Sequence, residues 1–275
     1  MKIFSKNYLK RKIYKSLPSF LRQKFLIHFL PEIQPSLDDF TIRPARSVEE
    51  YLSAFNLVYK VFLKARFIKP SPAPFRLAPQ HKHQDSRVFI GMYNNGQEEK
   101  LVYSVSLFPD SRDDGLPMDT VFKGQLDKLR AQGRFLVEAG HLASDASFRK
   151  KTMNIPMLGN KILFMYASRF LKADDIVIAV HPKFRWFYEE LLLFEVLGEV
   201  SEYGYANDNP AVAMRLDLRT LKDRYRVAYK NIPISRSMFH FFFTIQSESI
   251  SLPVQNAGIC NQLFETIRCS YGIKP

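Results

Sequence analysis

The chain has 275 residues, 46% of them hydrophobic and 14% aromatic, so it can form a packed core, and global disorder is excluded. Its net charge of +13 favours anionic partners such as lipid headgroups, nucleic acid or an acidic protein. It contains only 11 glycines, and this low number disfavours a glycine-rich cradle for a nucleotide.

The N-terminal segment, residues 1–31, contains eight Lys or Arg residues and no acidic residue. Its apolar residues recur every three or four positions between the basic ones, which predicts amphipathic helices interrupted at Pro18. Two interpretations are open at this point. Either these helices lie on an anionic membrane surface, or they dock onto the core of the protein.

Strands and helices follow one another from residue 40 to residue 218. Ser47 and Glu50 form a capping-box pattern that begins a helix, and Asn95-Gly96 predicts a hairpin turn. The apolar run DIVIAV at 175–180 is typical of a buried strand with a parallel neighbour. The predicted strands are 40–44, 87–93, 101–108, 135–143, 175–180, 196–203 and 211–218, and the predicted helices are 47–67, 155–171, 182–194 and one within 115–130.

This order predicts an α/β (α+β) fold in which helices flank a mixed, twisted sheet. Helical extensions precede and follow it. We therefore predict a basic amphipathic extension at residues 1–39, a sheet-containing domain at 40–218 and an aromatic-rich extension at 219–275. The last of these contains MFHFFFTI at 238–245, a cluster that packs in the core or covers an apolar ligand.

Residues 135–149, FLVEAGHLASDASFR, combine an apolar strand that holds one carboxylate and one imidazole with a polar turn that leads into a helix. A base, strand amides and a helix N-terminus are thereby brought together, which suits transfer of an acyl group to an amine. Because side chains alternate along a strand, Glu138 and His141 point to opposite faces unless a β-bulge returns His141 to the same side.

Four segments within residues 41–218 resemble the N-acyl amino acid synthase branch of the GNAT superfamily of N-acetyltransferases, and more distantly the acyl-homoserine lactone synthases. They are NLVYKVFL at 56–63, GLPMDTVFKGQLDKLRAQGR at 115–134, the strand and turn at 137–149, and the His-Pro…Phe-Tyr pattern at 181–194. The resemblance covers about two-thirds of the chain. It implies a GNAT-like sheet and an N-acyltransferase activity.

The resemblance also implies roles for individual residues. Glu138 would be the base, in an apolar setting that raises its pKa. His141 has no counterpart in the family pattern, but if a bulge returns it to the same side, its imidazole is a candidate base or a donor that positions the amine. Tyr188 protonates the leaving thiolate. The remaining residues contact the donor: the backbone amides of Leu142, Ala143 and Ser144 bind the oxyanion and the pantetheine, and Arg149, Lys150 and Lys151 bind the phosphate of the prosthetic group.

Two departures from the family pattern matter. His141 stands where the family has an arginine three residues after the glutamate. The region RKKTMNIPMLG after the strand has Gly159 as its only glycine, where acetyl-CoA-binding relatives have a glycine-rich loop. Fewer glycines bring fewer amides to a pyrophosphate, which favours acyl carrier protein over acyl-CoA as the donor.

We therefore predict an N-acyltransferase that moves a long-chain acyl group from acyl carrier protein, or from acyl-CoA, to the amine of an amino acid or a similar small molecule. No permanently bound cofactor, no metal and no nucleic acid is expected, because His81 and His83 lack a third ligand and the basic residues lack a recognition motif. The alternatives are an acyl-homoserine-lactone-type signal synthase and an inactive membrane-associated binding module.

Cysteine content and hydropathy bear on the compartment. Cys260 and Cys269 form neither a disulfide framework nor a CxxC metal motif, which favours a reducing environment. No apolar run reaches the roughly 18–20 residues that span a bilayer. We expect a cytoplasmic protein, with contact to the inner membrane face through residues 1–31 as the alternative left open above.

Overall fold

A computed structural model describes residues 14, 16–148, 154–252, 265–266 and 269 of the chain. Within these residues, eight strands form a mixed sheet in the order β1–β2–β3–β4–β5–β8–β6, and β7 also pairs with β8. Only β4 and β5 run parallel; the other neighbours are antiparallel. The strands are β1 Phe40–Pro44, β2 Arg87–Asn94, β3 Glu99–Pro109, β4 Leu136–Ser144, β5 Asp175–Val180, β6 Glu195–Val196, β7 Ser201–Tyr203 and β8 Asn209–Asp217.

The α-helices agree with the sequence patterns. Ser47 caps the second of them, since its side chain accepts a hydrogen bond of 3.3 Å from the Glu50 amide. Gly96 has a positive φ of 84° in the predicted hairpin between β2 and β3. The helices are α1 Ser19–Phe29, α2 Val48–Lys64, α3 Asp119–Arg130, α4 Asn154–Tyr166 and α5 Leu221–Ala228.

Helices cover both faces of the sheet. On one side, here called the α2–α3 face, Phe55 of α2 and Phe122 of α3 lie in clusters with residues of β2 to β5. On the opposite side, the α4 face, Leu158 and Ile162 pack against residues such as Tyr103 of β3. Alternation along β4 follows this division: Leu136 packs on the α2–α3 face and Val137 on the α4 face.

Segments before and after the sheet join the α4-face core. Leu26, Ile27 and Leu30 from the region of α1 are buried there, together with Phe241 and Phe242. The core-docking interpretation is therefore right for Ser19–Phe29, and the aromatic cluster at 238–245 packs in the core. Residues 1–13 of the predicted amphipathic segment lie outside the described part of the chain.

Two predicted elements are wrong in detail. The strand predicted at 196–203 is divided into β6 and β7, because residues 197–200 lie opposite only residues 212 and 213 of β8. Gly198 in this bulging segment lies against α3, where an added Cβ would be 2.8 Å from Gln125 Nε2. The helix predicted at 182–194 is a 3-10 turn, Pro182–Phe184, followed by a π-helical turn, Phe187–Leu191.

Ion pairs hold β4, β5 and β8 together where β4 and β5 begin. Arg134, just before β4, donates hydrogen bonds to the Asp175 carboxylate on β5 and is 2.9 Å from Asp217 on β8. Asp175 is fully buried, so its charge depends on this partner. The β4–β5 contact is thus fixed at this end.

Gly159 of α4 gives a test of the packing between that helix and β3. A Cβ at this position would lie 2.1 Å from Tyr103 Oη, so Gly159→Ala should lower the free energy of unfolding by about 1–3 kcal/mol. The matched control is Gly124→Ala in α3, where no atom lies within 4 Å of the new methyl group and a gain of roughly 0.5–1 kcal/mol is expected. Urea unfolding would measure both, and equal effects would contradict the packing.

Candidate active site

Strand β4 contains a β-bulge at the residues that the sequence singled out. Gly140 pairs with Ser106 and Ala143 pairs with Ser104, so His141 and Leu142 together face the single residue Val105. His141 has a φ of 51°, in the left-handed region that usually requires glycine. A non-glycine residue held in this conformation is strained by about 1–3 kcal/mol and is typical of functional sites.

The bulge brings the two candidate residues to one face of the sheet. Glu138 pairs with Phe108 of the α2–α3 face, and the His141 ring lies 5.6 Å from the Phe108 ring. Both side chains are buried, with 4% and 5% of their surfaces exposed. In a regular strand, alternation would place these two side chains on opposite faces. The chain therefore adopts the β-bulge that the sequence left open as an alternative.

Glu138 is held by the start of α3. Its Oε2 accepts a hydrogen bond of 2.8 Å from the Met118 amide, and burial raises its pKa to about 8. The Met118 hydrogen bond opposes this rise, and the nearby Asp119 charge adds to it. Gly140 leaves space beside the second oxygen, because an added Cβ would lie 3.7 Å from Glu138 Oε1. A carboxyl group of this kind can exchange a proton near neutral pH.

His141 is neutral. Burial lowers its pKa well below the usual range, and the nearby His81 and Arg76 lower it further, whereas a hydrogen bond to the Arg76 backbone opposes them. The nitrogen that donates to this backbone group carries the proton. The second ring nitrogen therefore has a lone pair, which can accept a hydrogen bond or a proton from an amine.

His81 belongs to the same site, although the sequence pattern indicated no role for it beyond that of a histidine that lacks a third metal ligand. It lies in the 3-10 turn Pro79–Lys82 and is only 2% exposed. Its Nδ1 accepts a hydrogen bond of 2.9 Å from the Ala78 amide, so Nε2 carries the proton and donates to Ser106 Oγ at 3.0 Å. The His81 and His141 rings are 5.0 Å apart, and burial lowers the pKa of His81 to about 3.

No sequence signal identified His81, because its neighbours in the site come from other elements. Phe55 of α2 and Phe108 of β3 each lie 4.8 Å from its ring, and Phe62 of α2 lies 6.1 Å from His141. His83, by contrast, stays in its own turn, where Nδ1 accepts from the Asp85 amide at 3.2 Å. The site is therefore a buried polar group enclosed by aromatic rings.

Beyond Glu138, β4 separates from β5. Their parallel pairing joins only residues 136–138 of β4 to residues 175–177 of β5. Farther along, β4 is paired on its other side with β3, and Leu142 is 37% exposed. This separation lies where the sequence predicted backbone contacts from Leu142, Ala143 and Ser144 to the donor, and those contacts stay a prediction.

Tyr188 lies beyond β5 in the π-helical turn. It is half-buried among aromatic residues, with the Phe194 ring 5.4 Å away, and it packs against the core of the α4 face. Burial raises its pKa to about 12, so its hydroxyl keeps its proton at neutral pH. Tyr188 and Glu138 therefore lie on opposite faces of the sheet.

The turn after β4 needs one correction. Gly159 is not a loop glycine: it lies within α4, where it packs on Tyr103. The sequence between Phe148 and α4, residues 149–153, thus contains no glycine. Arg149, Lys150 and Lys151 lie outside the residues that the structure describes, so their predicted contact with a phosphate is untested.

The described residues form neither a candidate metal site nor a membrane-spanning helix. Among them, no cluster of three His, Cys, Asp or Glu side chains has the arrangement of a metal site. The helices in this part of the chain are too short or too polar to cross a membrane.

The mixed sheet, the separation of β4 from β5 and the buried Glu138 define a class, the GNAT-type acyltransferases. A family model described as "N-acyl amino acid synthase FeeM" matches residues 53–217, which is more than half of the chain. The chain belongs to this family. It is accordingly an N-acyltransferase.

Solved structures resemble the chain to different degrees. The structure of FeeM, an N-acyl amino acid synthase from uncultured soil microbes, is 22% identical, with a TM-score of 0.59 over 67% of this chain and 93% of FeeM. Escherichia coli ElaA is 15% identical, with a TM-score of 0.42 over 65% of this chain and 99% of ElaA. BjaI, a CoA-dependent acyl-homoserine lactone synthase solved with SAM and isopentyl-CoA, is 13% identical, with a TM-score of 0.49 over 82% of this chain and 98% of BjaI. No curated protein sequence matches the chain.

The raised pKa of Glu138 predicts how stability depends on pH. The folded state binds this proton more tightly than the unfolded chain, whose pKa is near 4.5, so the stabilisation is complete below pH 4.5 and is lost as pH rises to about 8. Relative to Glu138→Gln, the wild type should lose roughly 3–5 kcal/mol of unfolding free energy over this range.

Urea unfolding of both proteins at several pH values would measure this loss, because other titrating groups cancel in the difference. The control is Glu202→Gln at an exposed position of β7, which leaves Glu138 in place and should therefore keep the wild-type loss of unfolding free energy with rising pH. A constant difference between the wild type and Glu138→Gln would contradict a buried carboxyl group with a raised pKa.

Proposed function

We propose that this N-acyltransferase moves a fatty acyl group from the phosphopantetheine thioester of acyl carrier protein to the amine of an amino acid. The observation that carries the proposal is the buried pair of Glu138 and His141 on one face of β4, beside the separation from β5, in a chain of the N-acyl amino acid synthase family. A thioester between the two strands would meet the amine on the α2–α3 face.

The reaction needs a neutral amine, a polarised carbonyl and a protonated leaving group. The amine nitrogen attacks the thioester carbon and forms the amide bond, the carbon–sulfur bond breaks, and the sulfur leaves as a thiolate. Glu138 removes the proton that the nitrogen loses, directly or through a water molecule. His141 accepts a hydrogen bond from the amine through its lone-pair nitrogen and thereby orients it.

Tyr188 is proposed to supply the proton to the thiolate. Its pKa of about 12 leaves it protonated before the reaction, and its position on the α4 face is opposite to that of the base. The base and the acid would thus approach the thioester from its two sides. This arrangement keeps them from neutralising each other directly.

The choice of acyl carrier protein rests on charge and on the turn after β4. Residues 149–153 contain three basic residues and no glycine, which suits one phosphate better than the pyrophosphate of CoA. We propose that Arg149, Lys150 and Lys151 bind the phosphate of the prosthetic group and that the amides of Leu142, Ala143 and Ser144 bind the arm. The net charge of +13 complements an acidic carrier protein.

The product identifies the reaction. The purified protein is incubated with a long-chain acyl carrier protein or the matching acyl-CoA, together with a mixture of amino acids, and N-acyl amino acids are measured by mass spectrometry. We expect products with the carrier-protein donor and fewer with CoA. A lactone formed only when S-adenosylmethionine is present would contradict the proposed acceptor, and no product with any donor would favour a binding module.

Glu138→Gln tests the base. The variant keeps the shape of the side chain and an oxygen that can accept from Met118, but it cannot take a proton, so kcat/KM should fall about 10²–10⁴-fold. The wild-type kcat/KM should rise with pH up to about 8 as the carboxyl group becomes ionised, in addition to the rise caused by deprotonation of the amine substrate, and only the carboxyl-dependent part should disappear in the variant. The control Glu202→Gln should keep both rate and profile. An unchanged profile in Glu138→Gln would exclude Glu138 as the base.

A further inference from the structure

Tyr103 and Ser144 face each other across β3 and β4. Opposite residues of an antiparallel pair project to the same side, which here is the α4 face. Tyr103 is fully buried, and the hydroxyl oxygen of Ser144 is also shielded from solvent. Within the described part of the chain, neither hydroxyl group makes a hydrogen bond.

A buried hydroxyl group without a partner loses its hydration and gains nothing in exchange. Such groups are rare in native structures, and each one calls for a reason. A phenylalanine would fill the same space as Tyr103 without this penalty. Two such hydroxyl groups on opposite residues of one strand pair therefore point to a polar ligand that supplies their missing partners.

Glycines on both sides make room for the Tyr103 side chain. On β2, a Cβ at Gly91 would lie 2.8 Å from the Tyr103 Cβ, and on α4 a Cβ at Gly159 would lie 2.1 Å from its Oη. A larger residue at Gly159 would have to displace the Tyr103 ring, and one at Gly91 would clash with the Phe40 ring and the Tyr103 Cβ. The chain thus holds the Tyr103 hydroxyl in one position, under the second turn of α4.

Ser144 lies along the opening in the sheet. It is at the end of β4, six residues beyond Glu138, the last residue that pairs with β5. Tyr188, the proposed acid, packs against the same α4-face core that contains Tyr103. Tyr103 and Ser144 therefore belong to the α4 side of the gap in which the donor arm is proposed to lie.

We propose that the hydroxyl groups of Tyr103 and Ser144 bind the amide groups of the donor's pantetheine arm. A hydroxyl group suits this arm because it can donate to an amide carbonyl or accept from an amide N–H. Acyl carrier protein and CoA share the arm, so both donors would make this contact. The inference rests on the proposed function for the identity of the donor.

The test is Tyr103→Phe, which removes one oxygen and keeps the ring. KM for the donor should rise roughly 3- to 10-fold, both with the acyl carrier protein and with the acyl-CoA of the same chain length, whereas KM for the amino acid should stay constant. Ser144→Ala should have the same effect. A change with one donor and not with the other would overturn the proposal, because the arm is common to both.

Tyr225→Phe is the matched control. The Tyr225 hydroxyl is equally buried, but it donates a hydrogen bond of 2.8 Å to the Leu192 carbonyl. Its removal should lower Tm by roughly 2–4 °C and leave KM for the donor unchanged. Tyr103→Phe should keep or raise Tm. A lowered Tm with an unchanged KM in Tyr103→Phe would assign the hydroxyl a structural role and overturn the proposal.

A binding experiment separates this inference from the proposed function. Calorimetry with free CoA and with pantetheine measures the arm without any reaction. If the wild type transfers no acyl group, the proposed function fails, and weaker binding of both probes by Tyr103→Phe would still support the contact. Equal Kd values for the wild type and Tyr103→Phe would overturn the contact, whatever the activity.

Discussion

The rest of the structure depends on one constraint: β4 stays paired with β3 to its end but loses its pairing with β5 after Glu138. The first three residues of β4 pair with β5 and two of them, Val137 and Glu138, also pair with β3, while the Arg134–Asp175–Asp217 ion pairs fix this end to β5 and β8. After Glu138 it is paired only with β3, and its bulge at His141 and Leu142 bends it away from β5. One strand therefore creates the opening in the sheet, and the same bulge brings His141 to the face of Glu138. The ion pairs at the beginning of β4 hold β4 against β5 there, so the two strands separate only beyond Glu138.

Burial sets the charge of the site. Glu138, His141 and His81 are each about 95% buried or more, and in each case burial shifts the pKa towards the neutral form. A buried site favours an uncharged amine over an ammonium ion, since the ion would lose its hydration there. Aminolysis of a thioester requires this uncharged amine. The enclosure by aromatic rings thus serves the chemistry as well as the packing.

Helix α4 is fixed from two directions, and this fixes the α4 side of the opening. Gly159 brings it against Tyr103, and Lys161 is buried with its Nζ donating to the Phe241 and Ile245 carbonyls at 2.5 and 2.6 Å. The C-terminal aromatic segment therefore packs on the helix that follows the candidate site strand. The close packing around α4 offsets the free energy lost by burying the Tyr103 hydroxyl group without a hydrogen-bond partner.

The sequence determined most of the elements and the face of each that is buried. Some signals depend only on residues that are close together in the chain, so they can be recognised in a single sequence. These are the apolar periodicity, the Ser47 cap, the Asn95-Gly96 turn and the apolar run at 175–180. Four segments in the family order also identified the class and directed attention to Glu138.

Tertiary structure alone decided the bulge at His141, the place of His81 and the role of Gly159 in packing. These depend on residues far apart in the chain: Val105 has two residues opposite it, His81 meets Ser106 across 25 positions, and Gly159 faces Tyr103. Local patterns carry no information about such contacts, because they arise only when strands pair and helices pack.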